Sequence, residues 1–273
     1  MRPRRADGGG VRVERTAKME DTAICFLLAL RPAHTWEKVN SAPMSPRPAG
    51  PPAHTSRDFE TELRELRAQA LAMGARCERT VMVALEAFRK GDAHALAAVQ
   101  TLDAQVDRDE MEIHALVLRI LALRQPVADD LRFLAAALRL ITDLERIGDE
   151  AVNIAERALD PNGHAKSLVH EELESMAAEA QGMLQGALRA FVERDSDGAE
   201  RVLLCDDAVD GYCGAIITKM TYYIATHSAD VAAGLRVVRV AKYLERIADH
   251  ATNVAEEVIF MVRGDDVRHR KRV

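Results

Sequence analysis

The thirteen residues LERIGDEAVNIAE at 144–156 return as LERIADHATNVAE at 244–256, with nine positions identical at a spacing of 100. A chain that carries one helical string twice is constrained to fold as a repeat. Matches continue outside the string. Phe88, Asp92, Asp103 and Asp107 recur as Phe191, Asp195, Asp206 and Asp210 at an offset of 103, and Asp130, Arg139 and Glu145 recur as Asp230, Arg239 and Glu245 at an offset of 100. The first three helices therefore recur as the last three.

Helical periodicity with sparse breaks predicts six helices. The first starts near Thr55 and Ser56, runs to Lys90 and stops on Gly91. A second, capped by Asp92, runs to about Arg124 before Pro126. The third spans about 128–159 and breaks at DPNG, 160–163; the others span about 164–194, 196–226 and 230–263. Helices of this length are each about 45 Å long, which suits elongated bundles. The fold class is all-α, with two tandem three-helix bundles at 55–160 and 161–263. Aromatic residues make up only 4% of the chain, so the core is built from Ala, Leu, Val and Ile.

Seven of the nine prolines lie within residues 1–57, so residues 1–54 read as a disordered leader with Met44 as a candidate start. Residues 264–273 read as a basic tail. Residues 58–273 carry 27 basic against 38 acidic side chains, a balance that repels nucleic acid and attracts cations. The longest apolar run, AICFLLAL at 23–30, falls short of the roughly 18 residues of a membrane span. The four cysteines form no CxxC pair, as in a reducing compartment. A cytoplasmic location without membrane insertion is the expectation.

The acidic positions fall into stripes. At 100° per residue Glu145, Asp149, Asn153 and Glu156 share an arc of about 80°, with Leu140, Leu144, Ile147, Ala151, Ile154 and Ala158 opposite. Arg146 is expected to point off to the side. Asp103, Asp107, Glu110 and His114 fall within about 60° on the second helix. The fifth helix repeats Asp206 and Asp210 but has Cys213 and Ile217 for Glu110 and His114. Like charges one turn apart cost a helix a few tenths of a kcal/mol, so paired stripes call for cations. Carboxylate sets suit Mg²⁺, Mn²⁺, Ca²⁺ or Fe, and Zn²⁺ less well. The plain alternatives are solvated faces, Arg146 and Arg246 as structural ion pairs, His250 as an incidental polar residue, Cys213 as a small core residue, and Met73, Met82 and Met176 as core packing.

With the doubled LERIxDxAxNxAE string, LRQPVADDLR at 123–132 and the six-helix repeat, the chain over about 55–263 resembles the PhoU family of bacterial phosphate regulators. The resemblance implies two three-helix bundles with E(D)xxxD metal motifs. These are Asp103 and Asp107, Glu145 and Asp149, Asp206 and Asp210, and Glu245 and Asp249, with Glu110, Asn153, Glu156, Asn253 and Glu256 as possible further ligands. It implies bound metal ions (Fe, Mn, Mg or Zn) and a homodimer. It also implies a non-enzymatic adaptor, linking the ATPase subunit of the phosphate ABC transporter to a membrane sensor histidine kinase and repressing the starvation response and phosphate uptake. The long leader and the thinner fifth-helix stripe depart from that pattern. No GxxxxGK[ST], GxSxG or HExxH occurs, and neither catalytic nor cofactor residues are assigned. The alternatives are a ferritin-like di-metal oxidoreductase, which needs Glu-x-x-His that the chain lacks, and a metal-free helical adaptor.

Overall fold

The computed structural model describes residues 57–268 apart from 93 and 159–166. The leader, Met44, the proposed cap at Thr55 and Ser56, the DPNG break and the last residues of the basic tail lie outside the described residues. Six long helices follow one another: α1 (Arg57–Lys90), α2 (Ala95–Arg124), α3 (Ala128–Glu156), α4 (His170–Glu193), α5 (Ser196–Thr226) and α6 (Val231–Arg263). A single 3₁₀ turn, Ser228–Asp230, leads into α6. No described helix is long and apolar enough to cross a membrane.

Helices α1, α2 and α3 pack on one another, and so do α4, α5 and α6; short turns make neighbours within each trio antiparallel. The trios meet chiefly along α3 and α6, with a smaller contact between α1 and α4. The apolar face expected of α3 is fully sequestered, since Leu140, Leu144, Ile147, Ala151, Ile154 and Ala158 are all buried. Met73 and Met176 are likewise buried, whereas Met82 is half exposed, a correction to its expected place in the core. Phe133 of α3 stacks on Phe191 of α4 with ring centroids 5.9 Å apart.

The helix ends follow local chemistry. Gly91 ends α1 in the left-handed region with φ 68°, and the Asp92 amide donates to the Ala87 carbonyl. Arg194, the counterpart of Gly91, ends α4 at φ 54°, and the Asp195 amide donates to Ala190 in the same way. Asp195 then caps α5, accepting from the amides of Asp197 at 3.1 Å and Gly198 at 2.9 Å. Asp92 does not repeat this. Its carboxylate accepts from the His94 amide at 2.9 Å, and α2 begins at Ala95 with no side-chain cap. Helix α4 begins at His170, later than expected, and α3 stops at Glu156. Cys77 and Cys213 are buried free thiols.

Candidate metal centre

Where α2 and α3 lie side by side, five carboxylates come near enough for their charges to act on one another. Asp103, Asp107 and Glu110 come from α2, and Glu145 and Asp149 come from α3 one turn apart. Gly148 explains the close approach: a Cβ built there would stand 2.6 Å from Asp103 Oδ1, so the missing side chain is the seat of that oxygen. Asp103 Oδ1 is buried and has no hydrogen-bond partner. Burial first, then the charges of Asp107, Asp149 and Glu145, push the Asp103 carboxyl up to about 6. Burial also raises Glu145, with Asp149, Glu110 and Asp107 adding to it against Arg146.

A buried, unpartnered acceptor among like charges is costly unless a cation answers it. The donor set is all oxygen and partly exposed, which fits a hard or intermediate divalent ion. Among the described residues no three His, Cys, Asp or Glu side chains are already gathered into a group that could hold an ion. Ligation therefore requires the carboxylates to rotate toward a common point. Arg146 corrects an expectation, for it does not stand aside. Its Nε lies 3.3 Å from Glu145 and its Nη1 lies 3.4 Å from Asp149, both on the outer, exposed side.

The second trio assembles Asp206 and Asp210 of α5 with Glu245 and Asp249 of α6. Burial and mutual repulsion raise Asp210 and Asp249. Here Lys242 Nζ donates to Glu245 Oε2 at 2.5 Å. The Cys213 thiol takes the place of Glu110, and burial followed by the nearby Glu245 charge pushes it up to about 11.

Of the further candidates Glu110 stands beside Glu145, and the others go elsewhere. Asn153 donates to Glu150 at 3.2 Å, and Glu156 pairs with Arg157. Asn253 donates to Asp143 at 3.1 Å across the seam between the trios. Glu256 lines a shallow groove with Arg139, Asp143 and Arg268. Each sits one or more turns beyond the carboxylate cluster, so a shared helical face was not enough to bring them together. His250 is not incidental: its Nδ1 lies 2.8 Å from Asp143, a cross-seam pair. Sequence reasoning missed Gly148 and Lys242. Setting 142 against 242 and 148 against 248 carries that signal, because Thr and Gly in one repeat become Lys and Ala in the other.

The PhoU domain model matches residues 70–158 and 173–258, one match in each trio. The chain belongs to the PhoU family. The phosphate-specific transport system accessory protein PhoU homolog of Pseudomonas aeruginosa is 36% identical over 223 residues, covering 79% of this chain and 90% of the relative. The homolog from Clostridium acetobutylicum is 34% identical, covering 78% and 98%. The crystal structure of PhoU from P. aeruginosa superposes with a TM-score of 0.70 at 34% identity, over 76% of this chain and all of that one. That of the phosphate transport system regulatory protein PhoU from Streptococcus pneumoniae gives 0.70 at 27% identity, over 77% and 99%. The paired trios are thus the PhoU fold. These relatives are named as accessory or regulatory proteins rather than as enzymes.

Proposed function

We propose that this PhoU-family chain is a non-enzymatic regulator of phosphate transport. It joins the ATPase subunit of the phosphate ABC transporter to a membrane sensor histidine kinase, restraining uptake and the starvation response while phosphate is plentiful. Near-complete coverage of relatives named as accessory proteins of that transport system supports this reading. Its site is the α2–α3 carboxylate cluster. Asp103, Asp107, Glu145 and Asp149 would hold a divalent or trivalent ion, with Glu110 beside them, and the ion would supply positive charge where five acids converge. The observation that carries the metal assignment is the buried, unpartnered Asp103 Oδ1 seated over Gly148. Away from the ion these side chains shape the charge of an exposed face, which sets long-range attraction and orientation toward protein partners.

The test is capture of the tagged full chain from phosphate-replete cells, with elemental analysis of the same samples. Recovery of the transporter ATPase or a sensor kinase supports the adaptor; recovery of neither overturns it. A Glu145→Ala/Asp149→Ala variant is expected to lose most of its bound metal. Unchanged metal content would remove those residues from the ligand set.

A further inference from the structure

The two carboxylate sets are not equivalent. In the first half, position 142 is a threonine whose hydroxyl is turned back onto its own helix, donating to the Leu138 carbonyl at 3.1 Å. In the second half, the same position is Lys242, and its ammonium reaches Glu245 at 2.5 Å. Glu145, the counterpart of Glu245, meets only the guanidinium of Arg146 at 3.3 Å from the outside. Arg246, the counterpart of Arg146, has left its own set to pair with Glu150 across the seam at 3.2 Å.

Two further differences act in the same direction. Cys213 replaces Glu110, so one potential oxygen ligand is lost and a buried thiol stands in its place. Ala248 replaces Gly148, so the methyl group missing beside Asp103 is present in the second half. A carboxylate seated there as Asp103 is would meet that Cβ at 2.6 Å. The second set therefore has one carboxylate fewer, no glycine seat and an ammonium already bonded to its glutamate. A metal ion would have to displace that ammonium, and what it gained would be a poorer ligand set.

We propose that the Lys242 ammonium is the resident cation of the second carboxylate set, so that this half takes no metal ion and the chain is loaded on one side only. The one-sided loading rests on the metal reading of the first half, whereas the role of Lys242 stands on its own contacts. A point charge on a flexible stem holds Glu245 and adds positive charge beside the rest of the set without fixing its geometry. The second half then keeps a charge that does not vary with metal supply, while the charge of the first half does.

The test compares metal uptake and thermal unfolding of the full chain, using Mn²⁺ as the probe after chelator treatment. Wild type is expected to bind Mn²⁺ through the first half alone. A Glu245→Ala/Asp249→Ala variant should leave the bound amount unchanged, whereas Glu145→Ala/Asp149→Ala should reduce it several-fold. Importing the first-half residues (Lys242→Thr, Cys213→Glu, Ala248→Gly) should about double it. Lys242→Thr alone should lower Tm in chelator. Loss of bound Mn²⁺ in the Glu245→Ala/Asp249→Ala variant would overturn the proposal. So would a Lys242→Thr variant whose Tm in chelator matches wild type. If wild type binds no Mn²⁺ at all, the first-half reading falls, and the Tm of Lys242→Thr still decides for or against Lys242 as the resident cation.

Discussion

Glu179 shows how a single side chain can tax this fold. It lies on α4 at 5% exposure, its Oε2 has no partner, and burial pushes its carboxyl up to about 7. The folded chain thus holds a proton that the unfolded chain releases near the ordinary carboxylate range. Because the folded state binds more protons, stability falls as pH rises from about 4.5 to about 7, and the full penalty applies above that window. Glu179→Gln keeps the shape and removes the charge. It should stabilise the protein by about 1–3 kcal/mol at pH 8 and change little at pH 4. Urea unfolding at the two pH values measures this; an equal effect at both would show that the charge is not the cause. Asp103 is another strained acid, and its helix gives it what Glu179 lacks, a row of further carboxylates with which to share a cation.

At the scale of the helix, the sequence was most readable where burial repeats every 3.6 residues. The face from Leu140 to Ala158 and the ends of α5 and α6 were legible because an apolar stripe and a cap are properties of one helix. Arg146 was misplaced because its long side chain can curl back along its own helix to Glu145 and Asp149, a freedom that an angular projection of Cα positions ignores. Met82 was misplaced because methionine is apolar whether or not it packs. The turns differ between repeats as well. Arg194 stands in a left-handed conformation where Gly91 stands in the first repeat, and a residue with a Cβ is strained there. Arg194→Gly should relieve that strain and raise stability by about 0.5–1 kcal/mol, since the added freedom of the unfolded chain offsets part of the gain. Thermal unfolding should show Tm higher by about 2 °C. A fall in Tm would mean that the Arg194 side chain contributes more than its backbone costs.

Across the whole molecule, the least legible part was the seam. Asp143, Glu150, Arg246 and His250 each look like ordinary polar residues on their own helices, and the meeting of α3 with α6 gives them partners across the seam. Asp143 accepts from Asn253 at 3.1 Å and lies 2.8 Å from His250, and Arg246 reaches Glu150 at 3.2 Å. Arg139 adds an ion pair to the buried Glu257 at 2.5 Å. Asp143→Ala removes two of these contacts and should cost about 1–2 kcal/mol. Asp143→Asn, which keeps an oxygen acceptor, should cost less. Chemical denaturation of both variants measures the difference, and equal losses would mean that hydrogen bonding at this position is not what joins the trios.

The seam has a further consequence. The acidic pair on α3, Asp143 and Glu150, is answered by Tyr243 and His250 at the matching places on α6. A molecule made of the first trio twice would set Asp143 against a glutamate, and one made of the second trio twice would set tyrosine against histidine. The two halves are unlike mates, and the pairing of Asp143 with His250 needs one of each.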